Sequence, residues 1–176
     1  MDEQIGFAEF VALRRDTWVR AACLLTGDVH TAEDLVQTAL IRVWPRWKRV
    51  SARGDADAYV RAVLTNVFLT SVRKRRWREV TTDPHDAGLL NQAPGKSGSS
   101  DEVDQRLHLL RVLSDLAPRQ RAVIVLRYYL DLSEAETATT LGCSVGTIKS
   151  QAAKGAAKLR NSIMAASSSK AKEDER

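Results

Sequence analysis

The residues best suited to recognise another molecule lie near the C-terminus, in a pattern that predicts two short helices joined by a tight turn. Ser133 and Glu136 form a capping box at the start of the first helix, and Gly142 suits the left-handed position that ends it. The second helix carries cations and hydrogen-bonding groups on one face: Lys149, Ser150, Gln151, Lys154 and Lys158. A helical hairpin with a solvated lysine face would share some of these features. The caps, the glycine turn and the basic second helix together favour a DNA-reading helix-turn-helix.

A second group of cations lies in the first half of the chain. Eleven Lys and Arg residues occur from Arg42 to Arg78, and only three acids oppose them up to position 79. Five of these cations surround Trp77 and suit binding to backbone phosphates: Arg73, Lys74, Arg75, Arg76 and Arg78. The alternative for such a run is a solvated helix end on which Trp77 simply packs.

The composition is that of a soluble helical protein with a basic character. The chain is 44% hydrophobic and 28% charged, with a formal net charge of +5, and the few Gly and Pro residues favour helix. Cys23 and Cys143 are far apart and fit no metal-binding spacing, so we expect reduced thiols, although the sequence leaves a bridge between them open. No signal peptide or membrane span is recognisable, which predicts a cytoplasmic location.

Hydrophobic periodicity divides the chain into two helical parts. Residues 81–100 contain Pro, Gly and Ser without periodicity and are predicted to be a flexible linker. Residues 166–176 form a polar tail that we expect to be disordered. The sequence therefore predicts an all-α protein with two small helical domains, residues 1–80 and residues 101–165.

Local signals give the ends of several helices. Thr31 and Asp34 resemble a capping box for the second helix, which Pro45 must stop or kink because it lacks a backbone donor. In the second part, Pro118 suits the first turn of a helix. Among the large apolar side chains, we expect three tryptophans to belong to the hydrophobic core: Trp18, Trp44 and Trp47.

The chain shows no arrangement typical of a catalytic site. His30, His85 and His108 are scattered, without the spacing of metal ligands or of a nucleophile and its base. Gly95-Lys96-Ser97 lacks the first glycine of a phosphate-binding loop and has no strand before it. We therefore predict no enzymatic activity, no metal and no cofactor.

Three stretches together resemble a known family, the sigma-70-type transcription initiation factors in their smallest, extracytoplasmic-function (ECF) class. Residues 32–44 resemble a region 2 helix, residues 116–128 the start of region 4, and residues 132–150 its helix-turn-helix. The resemblance covers nearly the whole chain except the tail. It implies binding to the clamp helices and flap of core RNA polymerase, and to promoter DNA at its −35 and −10 elements. An anti-sigma factor is a candidate partner by the same resemblance.

The resemblance also implies roles for individual residues. Contacts with the polymerase clamp are expected from Asp34, Leu35 and Gln37. Recognition and opening of the −10 region are expected from Arg53, Tyr59, Arg61, Asn66, Arg73, Lys74, Arg75, Arg76 and Trp77. Recognition of the −35 element is expected from Thr147, Lys149, Ser150, Gln151 and Lys154.

One feature of the recognition helix departs from the family's usual pattern. Gly155 stands in a small-residue stretch, and a glycine weakens a helix interior by about 1 kcal/mol relative to alanine. The sequence therefore predicts modest DNA affinity for region 4 alone. Two other functions compete with the sigma-factor hypothesis: a homodimeric helix-turn-helix repressor that binds operators without polymerase, and a nucleic-acid-processing enzyme that uses the basic residues.

Overall fold

The computed structural model describes the backbone of residues 2–81 and 100–173, and the side chains of residues 6–75 and 105–165. Every regular element within those residues is helical. The predicted all-α fold is therefore confirmed. The predicted linker covers residues 81–100; its two end residues are helical, and residues 82–99 lie outside the described residues.

Residues 2–81 form three long α-helices and one short one. These are α1 (Asp2–Thr26), α2 (Val29–Val43), α3 (Trp47–Ser51) and α4 (Ala56–Thr81). Pro45 stops α2 as predicted, because proline lacks the backbone N–H that would continue the helix. The chain then passes through one 3-10 turn (Trp44–Arg46) before α3 begins.

The start of α2 differs from the sequence prediction. The N-cap is Asp28, whose carboxylate accepts hydrogen bonds of 2.7 Å from both the backbone N–H and the hydroxyl of Thr31. Thr31 lies inside the helix, so the predicted capping box of Thr31 and Asp34 is wrong. Asp28 takes the cap because it is extended and its carboxylate reaches a free N–H of the first turn.

The tryptophans of the first half divide between core and surface. Trp18 and Trp47 are buried as predicted, with 1% and 7% of their surface exposed. Trp44 is 39% exposed, so its assignment to the core is wrong. Its ring packs on one side against Phe7, with centroids 4.9 Å apart, and its remaining surface faces outward at the end of α2.

Residues 100–173 contain four α-helices. They are α5 (Ser100–Ser114), α6 (Pro118–Ile124), α7 (Glu134–Leu141) and α8 (Val145–Glu173). Pro118 occupies the first turn of α6, as predicted. The backbone of α8 continues as a helix to Glu173, and it therefore includes the first part of the tail that the sequence places at residues 166–176.

A π-helical turn, Val125–Tyr129, joins α6 to the helix-turn-helix. Leu130 closes it by donating its N–H to the carbonyl of Val125 at 3.0 Å, and Asp131 then adopts a positive φ of 51°. The guanidinium of Arg127 donates to the carbonyl of Leu132. These bonds fix the path of the chain into α7.

The two halves of the described chain pack against each other. Buried side chains from both halves form one continuous hydrophobic cluster. Leu24 of α1 also packs on a second cluster that contains Leu113, Leu116 and Ile124. Arg121 of α6 donates a 2.7 Å hydrogen bond to the carbonyl of Leu25 in α1. Helices from both ends of the sequence therefore share one core.

Cys23 and Cys143 form no disulfide within the described residues. Cys23 is buried in α1, and this burial raises the pKa of its thiol. Cys143 is half-buried in the turn between α7 and α8.

Candidate nucleic-acid interface

The helix-turn-helix has the local bonds that the sequence predicts. Ser133 and Glu136 form a reciprocal capping box: the Ser133 N–H donates to the Glu136 carboxylate at 2.7 Å, and the Glu136 N–H donates to Ser133 Oγ at 3.2 Å. Hydrogen bonds from Ser133 hold the pKa of Glu136 below its usual value. Gly142 ends α7 in the left-handed conformation, with φ 60°. Residues within or next to α7 therefore fix both of its ends, including the turn that leads into α8.

The recognition helix α8 exposes most of the residues predicted to read the −35 element. Lys149, Ser150 and Lys154 are exposed, whereas Gln151 is half-buried. Ile148 between them is fully buried and anchors the helix. These exposed groups form one outward-facing set that can donate to base edges and phosphates.

Three of the polar side chains on α8 already have partners. Thr147 is half-buried in the first turn of α8. Its N–H donates to Ser144 Oγ at 3.2 Å, and its hydroxyl lies 2.9 Å from the same oxygen, so Thr147 is bonded to the residue that caps the helix. Lys149 lies 3.6 Å from the carboxylate of Glu134 on α7, in an exposed ion pair. Lys158 donates to the carbonyl of Asp115.

The residues predicted for the −10 region follow α4 and the loop before it. Arg53 is exposed in that loop, where Gly54 takes a positive φ of 73°. Tyr59 is half-buried against the core, and Asn66 is exposed. Farther along α4, three cations of the basic run are exposed: Arg73, Lys74 and Arg75. The side chains of Arg76 and Trp77 lie outside the described residues.

Arg61 is held more firmly than the other residues of this set. Its guanidinium pairs with Asp57 one turn earlier, and 20% of its side chain is exposed. Asp57 also accepts a 3.0 Å hydrogen bond from the indole N–H of Trp18. Asp57 was not among the predicted site residues, although its spacing of four from Arg61 is a recognisable signal. It ties the start of α4 to α1 and orients Arg61.

The residues predicted to contact polymerase separate into two groups on α2. Asp34 and Gln37 are exposed and lie one turn apart. Leu35 is 6% exposed and belongs to the hydrophobic cluster, so it is not available on the surface. Two exposed apolar residues farther along the same side were missed by the sequence prediction. They are Ile41, 72% exposed, and Trp44.

An apolar groove of about 610 Å³ opens beside the π-helical turn. Its walls come from α1, α5, α6 and α8, with exposed Tyr128 and Met164 at its edge. Leu24, Leu113, Ile124 and Leu159 line it together with neighbouring apolar residues. The groove is a concave apolar surface, unlike the polar face of α8.

Among the residues that the structure describes, no group of three or more His, Cys, Asp or Glu side chains is placed to hold a metal ion. In the same part of the chain, no helix combines the length and the apolar character needed to cross a membrane.

Comparison with known proteins identifies the family. Residues 11–78 match the family model of Sigma-70 region 2, and residues 106–159 match that of Sigma-70, region 4. The RNA polymerase sigma-E factor of Streptomyces coelicolor is 39% identical over 165 residues, covering 94% of this chain and 90% of the relative. The ECF RNA polymerase sigma factor SigL of Mycobacterium tuberculosis is 36% identical over 137 residues, covering 75% of this chain and 74% of the relative.

Solved structures have the same fold. The sigma factor RpoE from Bartonella quintana, solved in complex with the anti-sigma factor NepR, matches with a TM-score of 0.75 and 26% identity over 90% of this chain and 97% of that one. CnrH, solved with the cytosolic domain of CnrY, matches with a TM-score of 0.65 and 21% identity over 92% and 90%.

The fold, the helix-turn-helix and both family models define a DNA-binding transcription factor built from regions 2 and 4. The chain belongs to the sigma-70 family of RNA polymerase sigma factors, in its extracytoplasmic-function (ECF) class. It is a transcription initiation factor that binds core RNA polymerase and directs it to promoters. The alternative of a homodimeric repressor is not favoured by these relatives.

Proposed function

We propose that the initiation role is divided among three surfaces of the chain. The α2 surface binds polymerase, α4 with the loop before it holds the −10 region, and the outer face of α8 reads the −35 element. The first two belong to a region 2 domain at residues 1–80, and the third to a region 4 domain at residues 101–165. The observation that carries the proposal is the outward-facing set on α8, exposed beside the fully buried Ile148.

On α8, Lys149, Ser150 and Lys154 have the exposure needed to enter a major groove. The pairing of Lys149 with Glu134 does not oppose this role, because exposed ion pairs contribute at most about 1 kcal/mol and exchange readily for phosphate contacts. Gln151 can pair with adenine from its half-buried position. Thr147 acts indirectly by holding the N-cap.

At the −10 region, the exposed cations of α4 suit the phosphates of a separated strand, and Asn66 and Tyr59 suit its bases. Arg61 enters this surface already oriented by Asp57. Arg53 lies in the preceding loop, where a positive charge favours capture of an unstacked nucleotide. Arg76 and Trp77 extend the same basic run in the sequence.

The polymerase surface combines a polar part and an apolar part. Asp34 and Gln37 provide directional hydrogen bonds, and Ile41 and Trp44 provide area that becomes buried on binding. We assign the apolar contact to Ile41 and Trp44 and not to Leu35, because Leu35 already packs inside the protein.

The chain acts in the cytoplasm, and it has no enzymatic activity of its own because polymerase performs the reaction. Region 4 additionally contacts the polymerase flap, as its family resemblance implies. An anti-sigma factor is a partner by similarity to RpoE of Bartonella quintana, which was solved with one.

Run-off transcription on a genomic library tests the function. Core polymerase is incubated with sheared genomic DNA, with and without the purified chain, and the 5′ ends of the transcripts are sequenced. We expect new start sites, each preceded at fixed distances by two shared sequence elements. A matched mobility-shift assay omits polymerase. Tight, sequence-specific binding by the chain alone, without new transcripts, would support the repressor instead.

A further inference from the structure

We propose that Glu134, the first residue of α7, decides which part of the DNA is bound by Lys149 of the recognition helix α8. With Glu134 beside it, Lys149 favours the edge of a guanine in the −35 element over the backbone phosphates. Glu134 is a positioning residue, because it acts on DNA through Lys149. The inference deepens the proposed function and rests on its assignment of the −35 element to the outer face of α8.

The two side chains form an ion pair across the helix-turn-helix. The Nζ atom of Lys149 lies 3.6 Å from the carboxylate of Glu134, and 65% and 38% of the two side chains are exposed. Helices α7 and α8 pack against each other, and the buried Ile148 anchors α8 next to Lys149. Both charges therefore lie on the surface of the DNA-binding motif.

The carboxylate of Glu134 takes no part in the capping box. Glu134 and Glu136 both lie in the first turn of α7, but the bonds with Ser133 are made by Glu136. An acid in this turn also stabilises a helix through its macrodipole, which is the alternative, purely structural role for Glu134. That role would give Glu134 no influence on which DNA sequence is bound.

The position of Glu134 brings its charge close to DNA. In a helix-turn-helix, the first helix crosses the sugar-phosphate backbone while the second enters the major groove. Helix α7 is the first helix here, so a carboxylate beside Lys149 lies near phosphates when α8 occupies the groove. An acid at this place that had no cation beside it would weaken binding to every sequence alike, because it repels phosphate.

The pairing with Lys149 makes the effect depend on the sequence. An ammonium group has three donors, so Lys149 can hold Glu134 and a second acceptor together. If that acceptor is a phosphate, two negative charges meet at one ammonium group and repel each other. If it is O6 or N7 of guanine, the acceptor is neutral and this repulsion is absent. Glu134 therefore penalises the contact that all sequences offer, which is a source of specificity.

Lys154 provides a contrast on the same helix. It is exposed, and within the part of the chain that the structure describes it forms no ion pair with an acid. Its ammonium group can therefore follow the phosphates, which supply the affinity common to all DNA. We expect Lys154 to contribute to overall affinity and Lys149 to sequence preference.

The test compares Glu134→Gln with Asp16→Asn in holoenzyme reconstituted from core polymerase and the full-length chain. Both substitutions replace one carboxylate by an amide of the same size, and Asp16 is exposed on α1, outside the helix-turn-helix. Binding is measured over a range of salt concentrations to a promoter fragment obtained by run-off transcription and to the same fragment with a scrambled −35 element. Lys149→Gln and the double variant with Glu134→Gln complete a double-mutant cycle.

We expect Glu134→Gln to bind the scrambled fragment about two- to fivefold more tightly than the wild type, the range of an exposed ion pair, and to bind the promoter with little change. On the scrambled fragment, the slope of log affinity against log salt concentration should steepen by about 0.9, the value of one added phosphate contact. Both effects should vanish in the Lys149→Gln background, and Asp16→Asn should match the wild type. Replacement of the −35 guanines by 7-deazaguanine, which lacks the N7 acceptor, should weaken binding of the wild type more than that of Glu134→Gln.

A purely structural role for Glu134 predicts the opposite sign: weaker binding of Glu134→Gln to both fragments, with a lower free energy of unfolding. That result would overturn the inference. An unchanged ratio of the two affinities, together with weakened promoter binding by Lys149→Gln, would remove the role of Glu134 and leave the proposed function intact. Normal promoter binding by Lys149→Gln would instead contradict the assignment of Lys149 to the −35 element, and this inference would fall with it.

Discussion

A Cβ atom placed on Gly155 would lie 2.9 Å from Cγ1 of Ile124 and 3.1 Å from its Cδ1. Gly155 is buried where α8 packs against α6. Real Cβ atoms do not approach a neighbour so closely, so the two helices can pack at this distance only because residue 155 has no side chain. The glycine that weakens α8 locally is therefore what allows the recognition helix to lie against α6.

We predict that Gly155→Ala destabilises the protein. Alanine would gain about 1 kcal/mol of helix propensity, but forcing apart a packed pair of helices costs about 1–3 kcal/mol. The expected net loss is about 1 kcal/mol in the free energy of unfolding, measured by urea denaturation.

Gly146→Ala is the matched control for that substitution. Gly146 also lies in α8, but the nearest atom to its added Cβ would be Ser144 Oγ at 3.8 Å, an ordinary contact. Its stability should be unchanged or slightly higher. A Gly155→Ala protein as stable as Gly146→Ala would mean that α6 and α8 adjust freely, against the packing described.

The second prediction concerns the polymerase surface. Asp34→Arg and Ile41→Ala should each weaken binding to core polymerase about tenfold or more, with little change in stability, because both side chains are exposed. Leu35→Ala should instead lower the free energy of unfolding by about 2–5 kcal/mol, since it opens a cavity in the core.

Fluorescence anisotropy with labelled polymerase measures the binding, and urea denaturation measures the stability. Asp16→Arg, an exposed acid on α1, controls for the change of charge. Normal polymerase binding by both surface variants would remove the assignment of this surface to α2.

The third prediction separates promoter reading from polymerase binding. Lys149→Ala and Lys154→Ala should weaken binding of the holoenzyme to promoter fragments and leave binding of the chain to core polymerase unchanged. Each lost phosphate contact should reduce the slope of log affinity against log salt concentration by about 0.9. Arg111→Ala removes an exposed cation from α5 and serves as the control. A loss of polymerase binding in either lysine variant would contradict the division of surfaces.

Sequence reasoning succeeded where structure depends on near neighbours. The capping box of Ser133 and Glu136 and the turn at Gly142 each depend on residues within about four positions, which a sequence displays directly. The end of α2 at Pro45 is local in the same sense, because proline lacks a donor wherever it occurs. The helix-turn-helix was therefore predictable in detail.

Sequence reasoning failed where the structure depends on packing between residues that are far apart in the chain or on different faces of a helix. Helix α2 has apolar residues on two sides, and only packing shows that Leu35 is buried while Ile41 and Trp44 remain at the surface. The constraint on Gly155 comes from a helix 31 positions earlier in the chain, through Ile124. The bond between Arg121 and the carbonyl of Leu25 spans 96 positions. No local pattern encodes such contacts.

The last prediction concerns Asp28, which caps α2. Its carboxylate accepts two hydrogen bonds of 2.7 Å from Thr31, and these bonds, with a smaller contribution from the charge of His30, lower its pKa. Asp28→Ala should reduce the free energy of unfolding by about 1 kcal/mol at neutral pH. Asp28→Asn keeps an oxygen acceptor but has no charge to favour the positive end of the helix dipole, so its loss should be smaller.

The sign of the pH effect follows from the direction of that shift. Because the pKa of Asp28 is lower in the folded state than its unfolded value of about 3.9, its ionisation stabilises the fold above that value. The stabilisation is lost as the pH falls through the folded pKa. The difference in unfolding free energy between the wild type and Asp28→Asn should therefore be constant from pH 7 to about pH 5 and should shrink below about pH 4. Urea denaturation of both proteins across this range measures it, and a difference that stayed constant down to acid pH would show that the cap does not depend on charge.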